Sequence, residues 1–320
     1  MANIALLNRC NLRCPYCFAD SYTAEEKEDI TMPTFARLLD FCAEERQVGI
    51  IGGEPFLHKN ALAFLEMLRM DPRFDRVTVF TNGIFIDKAI DLLACGKFHT
   101  LINVNAKSDV GDTNYERTAA NVHRLIERAG RRSLTLGINV YRENQDFSDF
   151  LALVRDTGVR KVRVSLVIPQ NRAEGGIPYF LRMKPTLLAL YGELKALGVA
   201  PCYDCNAIPA CVYTEEERAF LATLPYENDH ERRILMGEAS VCSPVIDLYP
   251  DMTATRCFGM YDACRVPIRD FACLSDLRNY FFKEVDCRLV NTPACSDCEA
   301  CYKYKTFGCF GGCLCYKQSY

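Results

Sequence analysis

The chain has 320 residues, 49% of them apolar and 25% charged, with a formal net charge of −3. That balance belongs to a folded globular protein with room for one large domain and a smaller one, and it excludes a disordered tail. The mildly acidic charge leaves no footprint for nucleic acid, no apolar run reaches the roughly 20 residues of a membrane span, and "IALL" near the start is too short for a signal-peptide core, so the expected address is cytoplasmic.

In chain order, short apolar runs alternate with longer helical patterns. "NIALL", "VGIIGG", "RVTVF", "TLINVNA", "LTLGINV" and "KVRVSLVI" read as six strands, rich in Val, Ile and Leu and nearly continuous, as buried parallel strands are. Between them, "TFARLLDFCAEER" follows Thr31 as a helix N-cap with Pro33 near the first turn. "ALAFLEMLRM", "KAIDLLAC", "ERTAANVHRLIER" and "FSDFLALVRD" continue the helical series. Six β–α units in a row imply a parallel sheet curled into a full or partial barrel, and six rather than eight points to an open one; strand lengths alone leave a flat doubly wound sheet in play.

Beyond residue 200 the periodicity decays. "TEEERAFLATL" carries a capping box, Thr214 with Glu217 three residues on. Cys, Gly, Pro and Tyr then follow at close intervals, leaving little room for an apolar core. Of nineteen cysteines, five precede residue 200 and fourteen follow it. A boundary near residue 200 is expected on that shift: residues 1–200 as the barrel and residues 201–320 as a small cysteine-rich domain held by its metal sites. Disulfides are rare in a reducing cytosol, and an odd count cannot pair fully, so the thiols read as metal ligands, iron–sulfur clusters and zinc being the leading options.

Cys10, Cys14 and Cys17 directly follow the first strand, on the face where parallel barrels carry their active sites. Three thiolates hold a four-iron cluster with one iron left open to a ligand. A zinc site or unconnected thiols is the plain alternative, but zinc wants a fourth protein ligand and no His or Cys lies near in sequence. "CNLRCPYC" resembles the CxxxCxxC signature of the radical S-adenosylmethionine (radical SAM) enzymes. The resemblance implies a partial (βα)6 TIM-like barrel, with the open iron chelated by the amino and carboxylate groups of SAM and Tyr16 near the adenine. "GGEP", Gly52, Gly53, Glu54 and Pro55, closes the second strand as the family's glycine-rich motif does, and the resemblance gives it the methionine ammonium. Thr81 and Asn82 of "TNG" close the third strand, where family members carry similar residues. Asn105 at the end of the fourth strand and Asn139 in the fifth are candidates for ribose hydroxyls or the SAM carboxylate, with Arg142 as a further partner of that carboxylate; each Asn is equally an ordinary turn residue. His58, His99, His123 and His230 are scattered and read as surface or core, and Arg131, Arg132, Arg155, Arg160, Lys161 and Arg163 as solvated faces and strand flanks. No catalytic acid, base or hydrogen donor is identified.

The C-terminal segment resembles the SPASM extension of many radical SAM maturases. Cys242 and Cys257 flank a hairpin around "PDMT", and Cys298, Cys301, Cys309 and Cys313 form the later run, with seven residues rather than five in its middle gap. The family's interleaving implies one auxiliary cluster on Cys242, Cys257 and Cys313, with Cys211 or Cys205 as the fourth ligand. The other falls to Cys298, Cys301 and Cys309, with Cys315 or Cys295 completing it. Cys264, Cys273 and Cys287 are left over, and one cluster with structural thiols, or zinc in "CSDCEAC", are the alternatives. In the family, a reduced cluster cleaves SAM to methionine and a 5′-deoxyadenosyl radical that abstracts hydrogen from a substrate C–H bond. The resemblance favours a peptide or protein substrate, ending in a crosslink, an oxidation or an epimerisation. It implies a reductant such as flavodoxin or ferredoxin. Only nine residues precede Cys10, so an N-terminal peptide-recognition domain is expected to be absent and a separate protein to deliver the peptide. A small molecule, such as an amino sugar or a tetrapyrrole, is the alternative substrate, and an electron-transfer or sensor protein the alternative class.

Overall fold

The computed structural model describes the chain apart from residues 18, 25–27, 170, 172–173, 204, 239–241, 243–244 and 318–320. It forms two compact units, Met1–Leu136 with Pro244–Phe282, and Gly137–Ser243 with Lys283–Tyr320. Among the described residues the strands are β1 (Ala2–Ala5), β2 (Gln47–Ile51), β3 (Arg76–Thr81), β4 (Phe98–Asn103), β5 (Leu134–Val140), β6 (Lys161–Leu166), β7 (Ala200–Tyr203), β8 (Ile246–Leu248), β9 (Thr253–Thr255) and β10 (Arg265–Pro267). The first six are the six runs expected from sequence.

In the first unit the strand order is β10-β9-β8-β1-β2-β3-β4. From β8 to β4 neighbours are parallel, while β8, β9 and β10 form an antiparallel meander. The parallel steps need crossovers: α1 (Met32–Phe41) joins β1 to β2, α2 (Ala61–Met70) joins β2 to β3, and the short helical turns Ile86–Ala89 and Ile90–Leu93 join β3 to β4, while α3 (Asp112–Ala129) follows β4. Helix α1 starts where expected, with Thr31 Oγ1 accepting from the Thr34 N–H at 3.3 Å and Pro33 in the first turn. The "PDMT" hairpin is present, its turn held by the Thr253 N–H donating to Asp251 Oδ1 at 3.1 Å and by Met252 at φ 60°.

Sequence did not show where that hairpin goes. Strand β8 docks beside β1 with Asn3 opposite Asp247, and Asn3 Nδ2 donates to the buried Asp247 carboxylate at 2.8 Å. The segment also brings a core of its own, against the expectation of little apolar room: Tyr249, Phe258, Tyr261, Ile268, Leu274, Leu277 and Phe281 are buried. Tyr249, Phe258 and Tyr261 stack around Tyr22, with ring centroids 4.9, 5.8 and 5.5 Å away.

The second unit takes most of β5, then β6 and β7, the last two parallel with Lys161 opposite Ala200. Helices α4 (Ser148–Thr157) and α5 (Ile177–Ala196) make its crossovers. The short helix Glu215–Leu221 has the predicted capping box, with Thr214 Oγ1 and the Glu217 carboxylate each accepting from the other residue's backbone N–H. The cysteines beyond residue 200 are shared between the units: Cys257, Cys264 and Cys273 lie in the first, the rest in the second. Among the described residues no helix is long and apolar enough to cross a membrane.

Candidate functional site

In the first unit, the chain leaving β1 keeps running beside the chain leaving β2. Leu6 N–H donates to Ile51 O, Gly53 N–H to Leu7 O and Glu54 N–H to Arg9 O, each at 2.9 Å. This approach is why GGEP begins with glycines. A Cβ on Gly52 would sit 2.6 Å from Leu7 O, and one on Gly53 only 2.1 Å from Arg9 O. The glycines expected to admit a ligand thus admit, first of all, the backbone that carries Cys10.

The cysteine loop then turns tightly, Cys17 N–H donating to Cys14 O at 3.1 Å. Cys10 is exposed, and Cys14 and Cys17 are half-buried. The Cys14 thiol donates to Asn105 Oδ1 at 3.8 Å, which ties the loop to the end of β4. Cys17 packs against the core cluster that holds Tyr22, Tyr249, Phe258 and Tyr261. Although Cys10 is exposed as a residue, desolvation of its thiol, like that of the half-buried Cys14, pushes both up to about 11, and the neighbouring cysteine charges add to the rise; Tyr16, itself buried, hydrogen-bonds to Cys14 and pulls the other way. Cys10 and Cys14, each raised by the charge of its cysteine neighbours, belong to a donor set that wants a cationic centre.

Glu54 is fully buried at the same sheet end. Its Oε1 accepts from Thr81 Oγ1 at 2.7 Å and from Phe56 N–H at 3.2 Å, and its Oε2 from Asn82 N–H at 2.8 Å. Burial raises the carboxyl to about 7, with those donors opposing the rise. A carboxylate offers about four acceptor positions, so one stays available on a group already aimed by its neighbours. Asn82 reaches the cysteine loop through Nδ2, which donates to Asn11 Oδ1 at 2.9 Å. Helix α3 braces the "TNG" turn from below: Thr118 Oγ1 donates to Asn82 O at 3.0 Å and Asn121 Nδ2 to Gly83 O at 2.8 Å. Pro55 opens a 3-10 turn that Glu54 caps. Tyr16, Gly52, Gly53, Glu54, Pro55, Thr81, Asn82 and Asn105 therefore gather in one unit with the three cysteines. Asn11, an unremarkable loop polar residue in the sequence, was missed.

His58 is a core residue: its Nδ1 accepts from Asn60 N–H at 3.0 Å, so Nε2 carries the proton toward Ile30 O at 3.0 Å.

Asn139 and Arg142 belong to the second unit. Asn139 is buried, and its Oδ1 faces Arg163 Nη1 at 3.5 Å. Arg163 is thus a buried interior residue rather than the solvated flank expected, whereas Arg131, Arg132, Arg155 and Arg160 are exposed. Arg142 is exposed and lies over the Tyr141 ring, 5.2 Å from its centroid.

The same unit gathers thiols from two stretches of chain. Cys295 and Cys298 Sγ atoms lie 3.6 Å apart. Burial pushes the Cys211 thiol up to about 11, and the charges of Cys309, Cys298 and Cys295 reinforce it; burial likewise raises Cys309, with Cys301 adding to it. Cys211 therefore shares its surroundings with the later run. Cys313 and Cys315 form a buried pair, Sγ to Sγ 3.1 Å, next to Tyr316, whose hydroxyl donates to Asn206 Oδ1 at 2.8 Å beside the exposed Cys205. Cys242 is half-buried in this unit, and Cys257 half-buried in the first. Among the described residues no three His, Cys, Asp or Glu side chains converge on one ion-sized position; a cubane, whose corners take one thiolate each, does not ask them to.

Residues 4–174 match the Radical SAM superfamily. That is more than half of the chain, which belongs to this family, and membership implies a four-iron cluster and SAM. Among curated relatives, the GTP 3′,8-cyclase of Desulforamulus reducens is 27% identical over 167 residues, 48% of this chain and 51% of that protein. The GTP 3′,8-cyclase of Moorella thermoacetica is 35% identical over 215 residues, 65% of this chain and 59% of that protein. The chain thus spans about half the length of the first of these. Among solved structures, native anSMEcpe with bound AdoMet has a TM-score of 0.68 at 16% identity, over 98% of this chain and 88% of that one. SuiB of Streptococcus suis bound to precursor peptide SuiA has a TM-score of 0.62 at 14% identity, over 98% and 71%. The fold is the radical SAM fold.

Proposed function

We propose that this radical SAM enzyme modifies a peptide or protein, using auxiliary iron–sulfur clusters in its cysteine-rich region. One observation carries the reading: the likeness to anSMEcpe and to peptide-bound SuiB runs along 98% of the chain, cysteine-rich region included. A solved form of anSMEcpe also holds the Kp18Cys peptide.

When bound, the open cluster and SAM supply a carbon radical that removes hydrogen from an unreactive C–H bond. The chain's own residues hold and aim. Cys10, Cys14 and Cys17 ligate the first cluster, with Asn105 orienting Cys14. Gly52 and Gly53 lock the loop against β2, and Glu54 turns its remaining acceptor position to an ammonium, braced by Thr81 and Asn82. For the auxiliary clusters, Cys298 and Cys309 with Cys295, Cys301 and Cys211 form one ligand pool in the second unit, and Cys242, Cys313, Cys315 and Cys205 the other. A reductant such as flavodoxin or ferredoxin and a separate peptide-delivery protein are the partners.

The cyclase relatives favour a second reading, a purine nucleotide or other small molecule as substrate. The test is direct: anaerobically reconstituted, reduced protein is given SAM, then either GTP or candidate peptides, and 5′-deoxyadenosine and substrate mass are followed. A mass change in peptide coupled to 5′-deoxyadenosine supports the proposal. Coupled consumption of GTP replaces it with the second reading, and no SAM cleavage at all ends both.

A further inference from the structure

Between Cys301 and Cys309, in the second unit, the chain makes a single helical turn, Tyr302–Lys305, and leaves it through Phe307. The inner side of the turn is tied down, Tyr304 Oη donating to Val290 O at 2.7 Å. Gly308 N–H donates to Lys303 O at 2.8 Å and Phe307 N–H to Tyr304 O at 3.1 Å, the paired hydrogen bonds that end a helix through one left-handed residue. Phe307 is that residue, at φ 56°, where the absence of a Cβ favours glycine. It is also 58% exposed, and Tyr302 on the same turn is 78% exposed. Folding alone would place glycine at 307: a phenylalanine adds backbone strain and leaves an apolar ring in water, with little packing in return. Strain of that kind points to a role outside the fold. Lys303 and Lys305 lie between the two rings in the chain; both are exposed, and among the described residues neither pairs with a carboxylate. The nearest carboxylates in sequence, Asp297 and Glu299, precede Cys301.

We infer that the loop Tyr302 to Phe307 is the docking surface for a small, acidic, one-electron carrier protein that reduces the auxiliary cluster of the Cys298, Cys301 and Cys309 pool. The inference rests on the proposal above that these cysteines carry an iron–sulfur cluster. A loop strung between two ligands brings whatever sits on it close to that cluster. Exposed rings with charges beside them have the make-up of a protein interface, and the contacts of electron carriers are small enough for one loop to supply their centre. The chain as a whole carries a net charge of −3, which does not attract an acidic partner; two unpaired lysines beside the rings draw it to this loop. In the exchange one electron passes from the reduced carrier to the oxidised cluster, and no bond forms or breaks.

The test mixes the full-length, anaerobically reconstituted protein with reduced flavodoxin and follows cluster reduction by stopped-flow absorbance. The proteins are the parent, Phe307→Gly, and the double variant Lys303→Glu with Lys305→Glu. Dithionite, too small to need a docking surface, is the control reductant. Phe307→Gly should keep full iron, melt at or above the parent temperature and react normally with dithionite. Its second-order rate with flavodoxin should fall roughly tenfold or more, as for the loss of an aromatic anchor. The lysine variant should lose a similar factor at low salt and recover toward the parent at high salt, because exposed charges are screened. A parent-like flavodoxin rate in either variant overturns the inference. Lower stability, lost iron or equal slowing with dithionite in Phe307→Gly also overturns it, because the ring then serves the fold or the cluster's own housing. A parent that holds only about four irons instead overturns the cluster reading on which the inference rests.

Discussion

Asp247 is the sharpest place to test how the C-terminal hairpin is built into the sheet. It sits in β8, fully buried, accepting from Asn3 Nδ2 and from the Phe258 N–H, while Asn3 Oδ1 is a buried acceptor with no partner among the described residues. Burial raises its carboxyl from 3.8 to about 7, the two donors opposing the rise. The folded value lies above the unfolded one, so the stability this group contributes is fully present below about pH 3.8 and is lost as pH rises through about 7. Asp247→Asn removes the charge and keeps the shape: with Asn3 turned over, the new amide donates to Asn3 Oδ1 and its carbonyl still accepts from Phe258. Between about pH 5 and about pH 8 the parent should therefore lose roughly 2–3 kcal/mol relative to the variant, at 1.36 kcal/mol per pKa unit. Glu54, also raised to about 7, titrates in both proteins and cancels from the difference. The assay is urea unfolding of parent and variant, anaerobic, across that range. Stability differences that stay constant with pH would refute the reasoning and mean that Asp247 is charged and compensated in the folded protein.

Three further outcomes follow from the first unit. Gly53→Ala puts a methyl 2.1 Å from Arg9 O, so it should split the Leu7–Arg9 segment from the GGEP segment and cost about four irons per chain; full iron would mean the backbone yields cheaply. Glu54→Ala should weaken SAM binding by roughly 10- to 150-fold, the value of a charge-assisted hydrogen bond of about 1.5–3 kcal/mol, with cluster iron intact by chemical analysis; near-parent affinity by calorimetry removes Glu54 from the site. Replacing Cys10, Cys14 and Cys17 together with Ala should remove about four of about twelve irons and abolish 5′-deoxyadenosine formation. SAM cleavage persisting in that variant would remove the first-loop cysteines from the chemistry.

Much of the candidate site was legible because it is local. Strands β1, β2 and β5 show as nearly continuous apolar runs, since a strand buried on both faces needs no polar register, while β3 and β4 show by the alternation of a buried and a half-buried face. Thr31 and Thr214 mark helix starts because a cap satisfies N–H groups two or three residues away. Cys10, Cys14, Cys17 and Gly52 to Pro55 were recognisable because their spacing is a property of one loop and one strand end. Even so, the reason for Gly53 was visible only in three dimensions, where the neighbour 2.1 Å from its missing Cβ is Arg9, more than forty residues earlier.

The tertiary structure alone decided what depends on chain meeting chain. Nothing near Asp247 announces that it will face Asn3 across a strand pair, and a three-residue strand has too short a pattern to say which edge it joins. Arg163 lies in a strand whose alternation permits either face, and Cys211 carries no mark of the later cysteine run. Lys317 looks like an ordinary terminal lysine until the turn Leu314–Lys317 buries it. Charge and burial are sums over everything within a few ångströms, and for these residues most of that surrounding comes from distant chain. A sequence motif shows which atoms can bind a cluster; the folded chain determines which charges stand beside it.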